Sequence, residues 1–254
     1  MQVGLLQRKQ RVVAFAGSDI NEDFAFFQED SGHWVINLTS NPIAPQKGFL
    51  GAIGDLPVPV TVSGKQDYKP AIWRPNGSTW ILPDKDSEGN EIQRIVLEGS
   101  YQDSAFSGDY DGDGKSDLGV WRPDDGFWHI VLSSTNFDFG QSEHIQHGRE
   151  WDVIVPNDYN ADGKCDLVFW RPQDHTWYFL YAGSKRHEQI RFGYKDDIPS
   201  SGDLTGDQVP ELITWSPSKK SWNVFNISTQ ESFSYKWEVP DNCVPAISIL
   251  QKYE

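Results

Sequence analysis

Asp109-Tyr110-Asp111-Gly112-Asp113-Gly114-Lys115-Ser116-Asp117 runs directly into Leu118-Gly119-Val120-Trp121-Arg122-Pro123. Carboxylates stand at positions 1, 3, 5 and 9 of the acidic stretch, and Lys115 offers a backbone carbonyl at position 7. A hard cation such as calcium takes about six to eight oxygen ligands, and this spacing supplies most of them from one loop. Gly114, directly after the third carboxylate, permits the turn that brings the later oxygens round. A solvated acidic turn between two strands is the simpler reading. Against it, four mutually repelling carboxylates are hard to hold together without a counter-charge.

The same stretch recurs along the chain. Aligned on one tryptophan, the copies fall at Trp34, Trp80, Trp128, Trp177 and Trp222, spaced by 46, 48, 49 and 45 residues. Seven residues before each stands another large aromatic: Phe27, Trp73, Trp121, Trp170 and Trp215. Turn segments such as Arg74-Pro75-Asn76-Gly77 and Arg122-Pro123-Asp124-Asp125-Gly126 separate the two. In the third copy the residues predict strands over 104–107, 118–122, 127–132 and roughly 142–147, with turn residues between them.

Four short strands per unit of about 47 residues, repeated five times, predict an all-β chain folded as a β-propeller. A linear β-solenoid fits less well, because its coils are normally much shorter. The whole of 1–254 is expected to be one propeller domain, with blades near 11–56, 57–101, 102–151, 152–197 and 198–240. The segment 241–254 is expected to add a closing or extra strand; a fragment of a longer propeller is the alternative.

The acidic loops differ between copies. The fourth, Asp158-Tyr159-Asn160-Ala161-Asp162-Gly163-Lys164-Cys165-Asp166, keeps every ligand position, with an amide oxygen from Asn160 and a carbonyl from Lys164. The fifth has oxygens at Asp203, Thr205, Asp207 and Glu211 and a carbonyl at Val209, but lacks the glycine after position 5, which predicts weaker binding. The shortened versions at 18–23 and 65–69 lack alternating ligands and read as plain turns.

These residues resemble the FG-GAP or VCBS-type repeats, whose blades occur in the integrin α-subunit propeller and in many bacterial surface and secreted proteins. The resemblance rests on Gly108 to Pro123 and its echo from Asp158 to Pro172. It implies that the loop joins the first two strands of a blade and binds calcium structurally through Asp109, Asp111, Asp113 and Asp117. It also implies an extracellular or cell-surface setting. The absence of ligands from the first two copies departs from the pattern.

Composition narrows the function classes. A formal charge of −15 argues against nucleic acid as partner, since phosphate binding needs clustered Lys and Arg. No window has the apolar length of a membrane span, and the N-terminal residues lack the apolar core of a signal peptide. Sequons at Asn37, Asn76 and Asn226 are permissive of secretion. Cys165 and Cys243 allow either one bridge or two free thiols. No catalytic motif stands out among the six His and 37 acidic residues.

The expected function is therefore that of a calcium-stabilised, non-enzymatic binding module for glycans or proteins. A spacer role within a larger surface protein and a polysaccharide-active enzyme are the alternatives. Trp73, Trp80, Trp121, Trp128, Trp170 and Trp177 are candidate sugar-stacking residues if their rings reach grooves between blades. Wedges packed between blades are the other reading of the same rings, with Arg122 stacked on an indole.

Overall fold

Aromatic and β-branched residues concentrate in short runs bounded by Gly, Pro, Asp and Asn, and each such run pairs with the next as an antiparallel strand. The structure, a computed structural model, describes residues 10–16, 22–28, 33–37, 46–49, 51–61, 68–85, 87–88, 91–97, 100 and 102–236. The strands of the first sheet are β1 (Gln10–Ala16), β2 (Glu22–Gln28), β3 (His33–Asn37) and β4 (Gln46–Phe49). Those of the second are β5 (Leu56–Thr61), β6 (Tyr68–Arg74), β7 (Thr79–Lys85) and β8 (Glu91–Leu97). The third holds β9 (Ser104–Gly108), β10 (Asp117–Arg122), β11 (Phe127–Val131) and β12 (Glu143–Gln146). The fourth holds β13 (Val153–Ile154), β14 (Leu167–Arg171), β15 (Thr176–Leu180) and β16 (His187–Arg191). The fifth holds β17 (Ile198–Gly202), β18 (Glu211–Ser216), β19 (Ser221–Asn226) and β20 (Glu231–Lys236).

Every sheet is ordered as the chain runs, and all neighbours are antiparallel. The third-copy strands lie within two residues of their sequence-based bounds. Two three-residue 3-10 turns, Ser133–Thr135 and Phe139–Gln141, are the helical elements among the described residues, and no helix there is long and apolar enough to cross a membrane.

Three buried clusters make the sheets into blades. Trp73, Trp80 and Val60 pack with Leu118 and Val120 across the boundary between the second and third sheets. Phe106, Trp121, Trp128 and Ile130 meet Leu167, Phe169 and Leu180 across the next boundary, and Trp170, Trp177 and Phe179 meet Leu212 across the last. The second strands β10 and β18 are therefore covered on both faces, whereas the outermost β12 and β20 are largely exposed.

Four blades share cores in this way, and the expected count of five is corrected to four. The first sheet pairs in register, but its side chains lie outside what is described, as do the loop stretches 18–21 and 65–67 and the segment 241–254. Blade numbers below follow the sheet order.

A buried carboxylate organises the entry to each blade. Asp55, Asp103, Asp152 and Asp197 each close a four-residue turn, donating their N–H to Ala52, Ser100, Arg149 and Tyr194 and accepting those residues' N–H on Oδ2. In the second to fourth blades the same carboxylate takes a two-pronged bond from the arginine that ends the second strand. The Nε and Nη2 distances are 2.9 and 2.8 Å for Arg74, 3.2 and 3.2 Å for Arg122, and 2.8 and 2.7 Å for Arg171. The guanidinium of Arg171 also lies over the rings of Tyr178 and Phe169. The fifth blade has no arginine here; Thr214 and Ser216 donate hydroxyls to Asp197, backed by Asn223.

The turn between the second and third strands places Ser78, Gly126, His175 and Lys220 at positive φ in successive blades. Gly126 is the tightest, because a Cβ there would stand 2.2 Å from the Gly148 carbonyl oxygen. That turn receives the linker to the next blade, through His147 N–H to Gly126 O and Phe192 N–H to His175 O.

Removing one member of a buried ion pair leaves an uncompensated charge, at about 3 kcal/mol. Arg171 is 12% exposed and Arg122 33%. Asp152→Ala is therefore expected to cost about 3 kcal/mol in urea unfolding and Asp103→Ala less, while the exposed Asp124→Ala stays within about 0.5 kcal/mol. Equal losses at Asp152 and Asp124 would show that the clamp contributes nothing.

Candidate functional site

The acidic loops join the first and second strands of the third, fourth and fifth blades. In each, the last carboxylate is buried and latches the loop shut. Asp117 Oδ2 accepts the Tyr110 N–H at 2.7 Å, Asp166 Oδ2 that of Tyr159 at 3.0 Å, and Glu211 Oε2 that of Leu204 at 2.6 Å. The second oxygen is taken by Ser133 N–H, Ala182 N–H and the Asn226 amide respectively. Burial pushes Asp117 and Asp166 up to about 6, against the hydrogen bonds that lower them. Asn226 is itself buried in this latch, which removes it as a glycosylation site.

The first carboxylate organises the loop backbone. Asp109 accepts N–H groups from Gly112, Asp113 and Gly114; Asp158 from Asn160, Asp162 and Gly163; and Asp203 from Gly206, Asp207 and Gln208. Positions 4 and 6 hold positive φ in all three loops, at Gly112 and Gly114, Ala161 and Gly163, and Gly206 and Gln208. Gln208 at φ 70 thus adopts the conformation of the glycine it replaces, so the fifth loop keeps its shape despite the substitution.

A cation would need carboxylate oxygens that converge. Those of Asp109, Asp111 and Asp117 lie within 4.8 Å of one another, and so do those of Asp203, Asp207 and Glu211. Oδ1 of Asp109 and of Asp203 each accept two N–H groups, but Oδ2 of each accepts one and keeps a lone pair, so both donor sets fit a hard divalent ion. Asp113 stands apart, held by Lys115 N–H and the Ser133 hydroxyl, while the Ser134 hydroxyl bonds Asp111. In the fourth loop the Asn160 amide donates to Asp162 and the Lys164 N–H to the same residue, and no three carboxylates there converge among the described residues. The fifth loop, ranked below the fourth on sequence, therefore has the more convergent carboxylates. Thr205 serves it by donating to Glu211.

The loops also tie blades together. At position 8, Ser116 N–H donates to Thr61 O at 2.9 Å and Cys165 N–H to Asp109 O at 2.6 Å. Pro210 fills that position in the fifth loop and has no N–H, and there Asn157 instead reaches Ser201 with its side chain at 3.1 Å. Cys165 is a buried free thiol with its pKa raised by burial. Cys243 lies outside the described residues.

The candidate sugar-stacking tryptophans are elsewhere than expected. Trp73, Trp80, Trp121, Trp128, Trp170 and Trp177 are all fully buried, each pair facing across two neighbouring strands, so their faces are filled by protein. They are wedges between blades, and the reading that they line grooves is corrected.

A cleft of about 170 Å³ lies between the second and third blades. Val60, Leu82 and Leu118 form its apolar floor, and Asp84, Arg94, Lys115, Asn136 and Phe137 line its rim. Asn136 and Phe137 follow the first 3-10 turn with φ of 58° and 56°, two successive left-handed side-chain-bearing residues. Arg94 reaches across from the second blade, donating Nη1 to Asn136 Oδ1 at 2.7 Å and Nη2 to its carbonyl at 2.5 Å. Its guanidinium lies 5.1 Å from the centre of the Phe137 ring. No repeat position marks Arg94 or Phe137, so periodicity could not have found them. The clamp aspartates were findable, since each stands 18 residues before the first aromatic of its blade.

No protein-family model matches the chain, and no curated protein matches it. Among solved structures it is similar to an Agrocybe aegerita lectin described as specifically recognising non-reducing terminal N-acetylglucosamine. The TM-score is 0.64 at 12% identity, over 90% of this chain and 66% of that one. The chain thus spans just under two thirds of that lectin. It is also similar to BBS1N, described in complex with ARL6DN, with a TM-score of 0.53 at 10% identity over 92% of this chain and 70% of that one. At such identities these likenesses establish the fold, a β-propeller, and nothing finer.

Asp117→Ala would strand two N–H groups, those of Tyr110 and Ser133, and each stranded buried donor costs about 1–3 kcal/mol. In calcium-free buffer this variant is expected to lose about 2 kcal/mol or more by urea unfolding, and Asp113→Ala, at an exposed position, within about 0.5 kcal/mol. A neutral Asp117→Ala would refute the latch.

Proposed function

We propose that this propeller is a non-enzymatic, lectin-like glycan-binding module stabilised by calcium. The cleft between the second and third blades is the observation that carries the proposal. It joins an apolar floor and an aromatic ring to a rim of hydrogen-bonding groups, the pairing that a sugar presents through its C–H face and hydroxyls. At about 170 Å³ it is far smaller than the ~300–1,000 Å³ pockets of drug-sized ligands, and it matches the scale of one sugar ring. Arg94 and Phe137, fixed by bonds to left-handed Asn136, meet a ligand without first being ordered, which lowers the entropic cost of binding. The likeness to a lectin of the same fold supports the reading. The likeness to a propeller described with a protein partner makes a protein ligand the second reading.

Calcium enters as a staple rather than a reagent. The resemblance of the loops to FG-GAP or VCBS repeats supports that assignment, as do the converging carboxylates of the third and fifth loops. Asp109, Asp111 and Asp117 would hold one ion; Asp203, Asp207 and Glu211 would hold another. Each set includes the latch carboxylate of its loop, Asp117 or Glu211. Some of the formal charge of −15 would be offset there. The repeat resemblance likewise supports an extracellular or surface setting.

An ion at about 100 times its dissociation constant stabilises by about 2.7 kcal/mol, which for a domain of this size is about 5–10 °C in Tm. With two such sites a chelator is expected to lower Tm by about twice that amount, and Asp109→Asn with Asp203→Asn to abolish the difference; a Tm indifferent to calcium would sink the assignment.

Ligand binding is tested with a glycan array followed by titration of the best monosaccharide. Arg94→Met, which keeps the stem and removes the donors, is expected to weaken binding about tenfold or more. Silence across all glycans would remove the lectin reading and leave the protein partner.

A further inference from the structure

The end of the propeller opposite the acidic loops carries its own exposed side chains. The loop Asp109–Asp117 and the 3-10 turns after β11 lie at one end of the third blade, joined by the Ser133 N–H to Asp117 bond. The turn after β10 and the linker after β12 lie at the other, joined by the His147 N–H to Gly126 O bond. The clamped entry turns belong to this second end, away from the Arg94 cleft.

On three of these turns an apolar side chain faces solvent. Ile53 is 80% exposed on the turn before the second blade, Trp151 71% before the fourth, and Tyr194 50% before the fifth. The repeat accounts for the buried tryptophans as wedges. Trp151 has no such position: it lies 19 residues before Trp170, where the second blade has Gly54.

Trp151 is also held in a conformation that suits glycine. Its turn, closed by Asp152 N–H to Arg149 O at 3.1 Å, puts φ at 71°, as the Ala52–Asp55 turn does for Gly54 at 89°. A bulky residue at positive φ is a strained outlier, and here the ring does not gain burial in exchange. Nothing in the fold requires an indole at that point. The clamp fixes the turn beneath it, since Asp152 is buried and bound to Arg171. Tyr194 is oriented in a different way, by the Lys219 ammonium 3.0 Å from its ring centre.

We infer that this end is a second carbohydrate-contact face, on which Trp151 and Tyr194 each stack against a sugar ring of one neutral polysaccharide. The inference shares its ligand class with the cleft reading but none of its residues. The apolar groups come singly, one per turn, flanked by Glu150 and Arg149 or Lys195 and Asp196. A protein partner needs a contiguous desolvated core, whereas a sugar ring needs one aromatic face with polar groups around it. Repetition over blades suits a repeating chain, because weak contacts that are linked add up to avidity. The net charge of −15 favours a neutral chain over an acidic one.

The test is electrophoresis of the full chain through gels containing soluble β-glucan, mannan, galactan or xylan, with Trp151→Gly, Tyr194→Ala and Glu231→Gln alongside. Wild type is expected to be retarded by at least one of the four. Trp151→Gly should lose about tenfold or more of that affinity, and Tyr194→Ala part of it. Because glycine accepts the positive φ, Trp151→Gly should melt at the wild-type temperature or up to about 4 °C above it. Glu231→Gln, on the exposed strand β20 and in neither proposed site, should be retarded like wild type. No retardation by any polysaccharide overturns the proposal, as does a Trp151→Gly variant that binds like wild type or melts well below it. Retardation that depends on Trp151, with no monosaccharide binding in the cleft, would leave this face standing and remove the cleft reading alone.

Discussion

A carboxylate buried at the entrance to each blade is the interaction on which the remainder of the molecule depends. A charge withdrawn from water must be paired and hydrogen-bonded or it destabilises the fold by several kcal/mol. Asp55, Asp103 and Asp152 meet that demand with an arginine fork and the N–H groups of their own turn. Each clamp therefore joins the linker from the preceding blade to the end of the second strand, which carries the first tryptophan. The fifth blade satisfies the same demand with neutral groups: Asp197 accepts the hydroxyls of Thr214 and Ser216 and a backbone N–H, with Asn223 orienting the hydroxyls. An arginine is thus one solution of several, but the aspartate is common to all four.

At the opposite end the acidic loops close the blades against one another. The position-9 carboxylate binds its own loop, and the position-8 N–H binds the preceding blade, so the loop's shape and the spacing of the blades are set by adjacent residues. The tyrosine at position 2 extends the coupling, since Tyr110 and Tyr159 each lie in a core shared by two blades. In the fifth loop this coupling is weaker: Pro210 lacks the N–H and Leu204, at position 2, is exposed. Its carboxylates nevertheless converge. Metal geometry and blade coupling are therefore separable properties of one loop.

Much of the fold was legible because repetition makes a weak local signal strong. A strand of five residues is ambiguous alone, but the interval between paired aromatics, repeated down the chain, specifies strand number and order. The tryptophan pairs were legible as features and ambiguous in role, because periodicity cannot tell a wedge from a platform. Burial decides that, and it depends on the facing blade. The clamp aspartates shared the same periodicity yet were hidden among 37 acidic residues, where alignment on tryptophan drew attention to the acidic loops instead. The fourth loop shows where spacing stops being informative. Its ligand spacing is intact, but an amide that donates as well as accepts ties Asn160 to Asp162, and only coordinates reveal which role it takes.

What repetition conceals is the departure from it. Arg94, Asn136 and Phe137 form a cleft at one boundary, and at the next boundary Tyr110 and Leu180 line a space of only about 20 Å³. Blades that must pack alike are constrained to similar interiors, so the freedom to differ lies at their ends, in the connections that carry no shared core. The Arg94 cleft and the Trp151 turn both lie there, and both use left-handed backbone at side-chain-bearing residues. Strain of this kind persists only where surrounding structure over-determines it. For Asn136 that structure is the arginine from the neighbouring blade, and for Trp151 it is the buried Asp152–Arg171 pair beneath its turn. The clamp that serves stability in every blade thereby supplies, in the fourth, a rigid mount for an exposed ring.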